Sequence, residues 1–200
     1  MAIATKLGLV DHGHPVSLDD FETAEFEEGY KYELIDGRLY VSPQAEAPEG
    51  WLETWLYRKL WDYADESPAV VNYVHNKARV FVPGRKRRTV PEPDIAAYRD
   101  YPLDQPIGKM KWRDVSPVLV VEVLHASDPF KDLVRNVELY HQVPSIAEYW
   151  IIDARYDPDE PTLIVNRRRG KKWVVIEHEY GETYETRLLP GFSLVIDPRQ

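Results

Sequence analysis

Eight residues, PVLVVEVL at positions 117–124, constrain the fold more strongly than any other part of the sequence. They are apolar except for Glu122, and a continuous apolar run is typical of a β-strand that is covered on both faces. An ionised carboxylate is costly in such a strand, so Glu122 must be protonated, paired or bound to a metal ion. Pairing with a buried Arg or Lys, or partial access to solvent, explains the residue as well as a metal site does.

The chain is long and apolar enough for one domain with a core, since 44% of its 200 residues are hydrophobic. We expect a flexible N-terminal arm over residues 1–16 and a single domain over residues 17–200. The absence of Cys excludes disulfides and thiolate metal ligands. A net charge of −9 argues against coating nucleic acid by bulk charge, but local basic patches and divalent cations would still permit a nuclease.

The sequence gives no sign of membrane association. No apolar run approaches the ~20 residues that span a bilayer, and the N-terminal residues lack the apolar core of a signal peptide. We therefore expect a cytoplasmic protein.

Turn and periodicity signals predict a mixed α/β fold. Asp36-Gly37 lies between two strand-like runs and predicts a β-hairpin, because such a tight turn needs positive φ. Helical periodicity predicts helices at residues 17–28, 49–64 and 128–142. Strands are predicted at residues 70–75, 78–82, within 90–98, and at 117–124, 147–153, 162–167, 172–178 and 183–189. This order predicts an α/β (mixed α+β) core whose central mixed sheet is flanked by helices, with an N-terminal hairpin and C-terminal antiparallel strands.

Asp94, like Glu122, is a carboxylate that needs a partner, because it stands at the start of the predicted strand DIAAY. Two carboxylates on neighbouring strands repel each other unless a cation lies between them. Mg²⁺ and Mn²⁺ favour oxygen ligands, and a polarised water on such an ion is the attacking group that phosphodiester hydrolysis needs. The pair therefore predicts a nuclease-type metal site with Asp94 and Glu122 as its main ligands.

Several motifs occur in a characteristic order: YELIDGRLYVSP, PEPDIAAY, PVLVVEVL followed by DLVRNVELY, and EYWIID. On these motifs the chain, from about residue 17 to its C-terminus, resembles the Uma-two family of the PD-(D/E)XK nuclease superfamily. The resemblance implies a restriction-endonuclease-like core and an endonuclease that hydrolyses DNA with Mg²⁺. It also implies that Asp94 is the Asp of the PD element, that Glu122 is the acidic residue of the second element, and that Glu33 is the Glu of the opening hairpin.

The resemblance further implies a lysine on the following helix, in a D-x-x-x-K-x-x-x-Y pattern, but this chain has Asp132, Asn136 and Tyr140 there. Asn136 therefore occupies the position of an implied catalytic lysine but carries no positive charge. Losing one such electrostatic donor lowers the rate by roughly 10²–10³-fold. Adjacent residues of an α-helix are rotated by ~100°, so Lys131 and Arg135 are not automatic substitutes. Asp132, Asn136 and Tyr140 share one helix face, which would line the cleft. Alternatively, Asp132 caps the start of the helix and Tyr140 packs in the core. We favour the cap for Asp132 and the cleft for Asn136.

His125 and two basic turns, at residues 85–88 and 167–169, are the remaining candidates for functional residues. His125 directly follows the buried strand, where it would ligate metal, transfer a proton or simply be solvated. The basic turns would contact phosphates on either side of a cleft, or merely balance an acidic surface. The candidates for DNA contact are Arg85, Lys86, Arg87, Arg88, Arg167, Arg168 and Arg169.

Two other functions stay open. Asn136 favours a catalytically degenerate nuclease fold that binds nucleic acid or protein. A structural or assembly module would instead hold its acidic residues in ion pairs. Its homodimer interface would be the Trp-rich helix near residues 51–61, although a buried core helix explains that segment equally well.

Overall fold

A computed structural model describes residues 5–124 and 128–200, so His125 lies outside the described residues. The strands are β1 Lys6–Leu7, β2 Glu25–Phe26, β3 Tyr30–Ile35, β4 Arg38–Pro43, β5 Tyr73–Asn76, β6 Ile95–Tyr98, β7 Leu119–Val123, β8 Glu148–Asp153, β9 Thr162–Arg169, β10 Lys172–His178, β11 Thr183–Glu185 and β12 Ser193–Val195. The α-helices are α1 Leu18–Thr23, α2 Ala47–Glu66 and α3 Asn136–His141, and a π-helix at Lys131–Arg135 leads directly into α3. Short 3₁₀ turns lie at Leu9–Asp11, Ile107–Lys109 and Trp112–Asp114.

Six strands form a central mixed sheet in the order β10-β9-β8-β7-β6-β5. Strands β7 and β8 run parallel, and the other neighbouring pairs of this sheet run antiparallel. Every residue of β7 is buried, which agrees with its continuous apolar sequence. The predicted fold, a central mixed sheet flanked by helices, is confirmed.

Helices cover both faces of this sheet. Leu52, Leu56 and Leu60 of α2 are buried against one face, and Leu139 and Tyr140 of α3 are buried against the other. Burying one such side chain contributes about 1.5–3 kcal/mol, so these two layers account for a large part of the stability. Within the described residues, no helix is both long and apolar enough to cross a lipid bilayer.

The hairpin β3–β4 turns at Asp36-Gly37 as predicted, with φ angles of 50° and 71° at these two residues. Leu34 and Leu39 are paired across the hairpin and are completely buried. The backbone N–H of Leu34 donates to the carbonyl of Val90 at 3.2 Å. The hairpin is thereby fixed to the segment that leads into β6, and this brings β3 close to the central sheet.

Residues 5–16, for which the sequence predicts a flexible arm, contact the hairpin. Strand β1 pairs with β2, and Leu7 packs into the hairpin's own core beside Phe21. The imidazole Nδ1 of His12 lies 3.1 Å from the backbone nitrogen of Val41, which donates to it. Residues 5–16 are therefore held by burial and by hydrogen bonds to the hairpin. Local sequence periodicity does not predict such contacts, because the partners are distant in sequence.

The predicted strand at residues 78–82 is wrong. Residues 78–82 form no strand, although the N–H groups of Val80 and Val82 donate to the carbonyls of Pro91 and Thr89. Pro91 has no N–H group, so it cannot return a hydrogen bond to the opposite chain. The pairing therefore stops at two bonds instead of continuing as a β-ladder.

Candidate functional site

Asp94 and Glu122 meet at one end of β6 and β7. The register pairs Ile95 with Val121, and one further step along the antiparallel strands places Asp94 opposite Glu122. Glu122 is completely buried, whereas the Asp94 side chain is 19% exposed. The structure thus brings together the two acids that the sequence predicts on neighbouring strands.

Lys31 of β3 lies between these two carboxylates. Its Nζ is 2.7 Å from Oδ1 of Asp94 and 3.4 Å from Oε2 of Glu122. The second oxygen of Asp94 accepts the backbone N–H of Val123 at 2.8 Å. Burial opposes ionisation of Asp94, but the ammonium groups of Lys31 and Lys131 and these two hydrogen bonds together lower its pKa to about 2. The two acids are therefore joined by an ammonium cation.

Glu122 is held by side chains on both of its oxygens. Its Oε1 accepts hydrogen bonds from Nδ2 of Asn136 at 2.9 Å and from the hydroxyl of Tyr140 at 2.8 Å. Its Oε2 also lies 3.3 Å from Nζ of Lys131. Burial nevertheless raises the pKa of Glu122 above its usual value. The carboxylate has a fixed orientation, with Oε2 turned toward the lysines.

The π-helix explains how Lys131 reaches the site. The N–H of Asn136 donates to the carbonyl of Lys131, an i→i+5 bond that places Lys131 one turn below Asn136. The Nζ of Lys131 lies 3.0 Å from Oδ1 of Asp132, and Nδ2 of Asn136 donates to the same oxygen at 3.0 Å. Lys131 therefore provides a positive charge beside Asn136, which the spacing of an α-helix does not predict.

Asp132 does not cap the helix, so that interpretation is wrong. Oδ1 of Asp128 accepts the N–H of Lys131 at 3.2 Å, which is the capping contact at this helix start. Asp132 is completely buried, and its Oδ2 has no hydrogen-bond donor among the described residues. Burial and the charge of Glu122 raise the pKa of Asp132.

Glu33 connects the hairpin to the same cluster. Its Oε2 accepts a hydrogen bond from Arg135 at 2.6 Å, and its Oε1 accepts the N–H of Glu92 at 3.2 Å. Nε of Arg135 also donates to Oδ1 of Asn136 at 3.0 Å. Burial disfavours the charge on Glu33, but Arg135, Lys131 and Lys31 together outweigh burial and lower its pKa. Arg135 thus links Glu33 to the residue that holds Glu122.

A cleft with a volume of about 640 Å³ opens onto this cluster. Lys31, Asp94 and Lys131 line it, together with acidic residues of α2 such as Glu53. Glu122 is buried and does not line the cleft, and the same holds for Glu33, Asp132, Asn136 and Tyr140. The expectation that Asn136 faces the cleft is therefore wrong, because its amide is buried against Glu122 and Asp132. Of the clustered residues, the cleft therefore exposes Asp94, Lys31 and Lys131 above a buried acidic layer.

A comparison with known families explains these motifs. The Uma2 family, described as "Putative restriction endonuclease", matches residues 18–197. The chain belongs to the Uma2 family. This confirms the resemblance seen in the motifs.

A solved structure has the same fold as this Uma2 chain. It is a "putative nuclease belonging to DUF820 from Anabaena variabilis ATCC 29413", with a TM-score of 0.66 and 16% identity over 91% of this chain and 96% of that chain. At this level of identity the similarity shows the fold. No curated protein matches the chain.

Lys31 and Lys131, like Arg135, belong to this Uma2 site although the sequence did not predict them there. Lys31 stands two positions before Glu33, so both side chains lie on the same face of β3. That spacing could have revealed Lys31. For Lys131 the sequence gives no comparable signal, because its direction depends on the π-helix.

The oxygen donors of this Uma2 site fit a hard divalent cation. Asp94 and Glu122 direct one oxygen each at a single ammonium group, which marks a point that a cation can occupy. Within residues 5–124 and 128–200, no three His, Cys, Asp or Glu side chains form a group that could hold a metal ion. Mg²⁺ keeps several waters and is commonly bound through only one or two carboxylates, so two ligands suffice.

Within the basic turns of the Uma2 chain, internal contacts engage Arg85, Arg167 and Arg168. Arg85 donates two hydrogen bonds to Asp36 at the closed end of the hairpin, away from the end that lines the cleft. Arg167 donates to Glu148 at 2.7 Å. Arg168 donates to the backbone carbonyls of Tyr140, His141, Val143 and Ile146. DNA contact by residues 85–88 and 167–169 stays a prediction.

Helix α2 serves the core and also presents aromatic side chains to solvent. Trp55 is buried, whereas Trp51 is 63% exposed and Trp61 is 38% exposed. The core explanation of the Trp-rich segment therefore holds for Trp55. A homodimer formed through the exposed Trp residues stays a prediction.

Proposed function

We propose that this Uma2 protein is an endonuclease that hydrolyses phosphodiester bonds of DNA with Mg²⁺ or Mn²⁺. The convergence of Asp94 and Glu122 on one cation position at the base of a cleft carries the proposal. The Uma2 family is described as "Putative restriction endonuclease", and the structural neighbour from Anabaena variabilis is described as a "putative nuclease". Both descriptions favour the same class of activity.

Asp94 and Glu122 would hold the metal ion. When bound, Mg²⁺ or Mn²⁺ supplies a polarised water and offsets negative charge on the phosphate. Asn136 and Tyr140 orient Glu122 by donating to its Oε1, which leaves Oε2 for the cation side. Because both donors are buried, this orientation is set before any ligand binds.

Lys131 takes the electrostatic role of the lysine that is absent at position 136. Its Nζ contacts Oε2 of Glu122 and its side chain lines the cleft, so a phosphate bound there would lie close to it. A fixed positive charge at that point stabilises the negative charge that develops on the phosphate during attack. Arg135 is a positioning residue, since it acts through Glu33 and Asn136.

The activity is tested with supercoiled plasmid and single-stranded DNA in Mg²⁺ or Mn²⁺. Asp94→Asn and Glu122→Gln keep the shapes of the side chains, and we expect each to lower the cleavage rate by at least about 10²-fold. Asp104→Asn is the matched control, because Asp104 is exposed on a loop and does not line the cleft. Equal cleavage by the wild type and both site variants would identify a contaminating nuclease and refute the proposal.

The neutralised acid cluster favours a second function, a catalytically degenerate nuclease fold that binds nucleic acid or assembles with proteins. Glu33, Asp94 and Glu122 each lie within 3.4 Å of a Lys or Arg nitrogen, so ion pairing alone stabilises the cluster. Such a protein would retain DNA in EDTA and lose it when Arg87 and Arg88 are changed to Ala. Gel-shift measurements in EDTA and calorimetry with Mn²⁺ distinguish this binding function from the endonuclease.

A further inference from the structure

Two lysines stand between Glu122 and the cleft. Glu122 is completely buried and does not line the cleft, whereas Lys31 and Lys131 both line it and both contact Oε2 of Glu122. A cation that enters through the cleft therefore meets two ammonium groups before it reaches Glu122. Repulsion between like charges is strong where water is largely excluded, so at least one ammonium group has to move.

Lys31 and Lys131 differ in the contacts that they would lose. Both carboxylates contacted by Lys31, those of Asp94 and Glu122, are the proposed metal ligands. Lys131 also contacts Asp132, which would remain its partner after an ion binds. Lys31 is thus the cation that loses both of its carboxylate contacts when a metal ion binds.

The charges of the cluster are nearly balanced before any ion binds. Four acidic residues face three cationic ones, which leaves one negative charge when all are ionised. A divalent ion changes this to one positive charge, and a single phosphodiester group neutralises it. The residues counted are Glu33, Asp94, Glu122, Asp132, Lys31, Lys131 and Arg135.

We infer that Lys31 is a displaceable counter-ion that couples metal binding to DNA binding. Lys31 gives up its place between Asp94 and Glu122 to the divalent ion and then binds the phosphodiester group in the cleft. This inference rests on the proposed function, because it takes these two acids as the metal ligands. By linkage, the metal ion and the phosphodiester increase each other's affinity by the same factor. The metal alone binds weakly, and the site remains paired with Lys31 until both ligands are present.

Calorimetric titration of the full chain with Mn²⁺ tests the competition. Lys31→Met removes the ammonium group but keeps an unbranched side chain of nearly the same length, and we expect Mn²⁺ to bind at least about tenfold more tightly than to the wild type. The same variant should cleave DNA more slowly, so metal affinity and activity change in opposite directions. Lys77→Met is the matched control, because Lys77 lines the same cleft but has no hydrogen bond or ion pair with Asp94 or Glu122. The Mn²⁺ affinity of Lys77→Met should change by less than about twofold, because this substitution alters only the overall electrostatic potential of the cleft.

A second titration tests the coupling in the unaltered protein and does not depend on the folding of a variant. A thymidine dinucleotide carries one charged phosphodiester, whereas its methylphosphonate analogue has nearly the same shape without the charge. We expect the charged dinucleotide to tighten Mn²⁺ binding to the wild type by at least about fivefold, and the neutral analogue to have no effect. In Lys31→Met the difference between the two compounds should disappear.

The outcomes separate this inference from the proposed function. If Lys31→Met leaves the Mn²⁺ affinity unchanged, or if the charged dinucleotide has no effect on the wild type, the coupling is refuted. The metal site itself then stands if Asp94→Asn abolishes Mn²⁺ binding. If neither the wild type nor Lys31→Met binds Mn²⁺, both the inference and the proposed function are refuted.

Discussion

Exchanging Lys131 and Asn136 tests whether the π-helix has moved the cationic side chain by one turn. Both residues contact Glu122 and Asp132, and an i→i+5 backbone bond joins them. Lys131→Asn removes a positive charge beside the expected phosphate, so the cleavage rate should fall by about 10²–10³-fold. Asn136→Lys adds a cation to a cluster that already contains Arg135 and two lysines, and it removes both hydrogen bonds donated by Nδ2.

The expected magnitudes follow from burial. Asn136 is completely buried, so the longer side chain of Asn136→Lys overpacks the site and loses two hydrogen bonds, which together cost about 3–5 kcal/mol in the free energy of unfolding. For a chain of this size, 1 kcal/mol lowers the Tm by about 2–4 °C, so Asn136→Lys should lower it by roughly 6–20 °C. The double variant has the wild-type number of charges. Its loss of stability should therefore be smaller than the sum of the single losses by at least about 1 kcal/mol.

Thermal unfolding followed by circular dichroism measures the stabilities, and plasmid nicking measures the activities. The double variant should recover part of the cleavage that Lys131→Asn loses. Lys109→Asn, at an exposed position outside the cleft, controls for the loss of a lysine as such. Strictly additive effects in the double variant, or an Asn136→Lys variant as stable as the wild type, would refute the reasoning.

Three further predictions concern stability. Glu148 is buried and accepts hydrogen bonds from four side chains, so Glu148→Ala should lower the free energy of unfolding by about 3–5 kcal/mol in urea titrations. Glu148→Gln keeps the shape of the side chain and one acceptor oxygen, so it should cost less, and equal losses would contradict the hydrogen-bond argument. Gly37→Ala forces Ala to a φ of 71° and should cost about 1–2 kcal/mol without changing the urea m-value. Hydrogen bonds from Arg85 lower the pKa of Asp36, so the stability advantage of the wild type over Arg85→Ala should be present at neutral pH. It should be lost as the pH falls through the folded-state pKa of Asp36, and a constant advantage down to acid pH would contradict this.

The elements that could be predicted from the sequence have local signals. The apolar run identified β7, and Asp36-Gly37 identified the hairpin because its backbone angles are available to few residues. The meeting of Asp94 and Glu122 could be predicted as well. It required only that two acidic residues be carried by strands that are neighbours in the sheet.

The rest of the site depends on contacts that are distant in sequence. The helix after β7 contains a π turn at Lys131–Arg135, so the α-helical spacing assumed from the sequence gave the wrong direction for the side chain of Lys131. Strand β11 ends at Glu185, although its pattern predicted a strand to residue 189. Strand β12 has only three residues, too few for alternation to predict it. The lysine that pairs with both acids comes from the hairpin, 63 residues before Asp94, and only the tertiary fold brings it there.

Arg168 ties the end of α3 to a distant strand. Its guanidinium group binds four carbonyl oxygens that follow or belong to this helix, and the hydroxyl of Tyr140, in the same stretch, holds Glu122. A shortened chain that stopped before β9 would retain every acidic residue of the site and yet lose the anchor of the helix that orients them. The smallest fragment worth expressing for activity must therefore extend past Arg168, even though that arginine never touches the reacting groups.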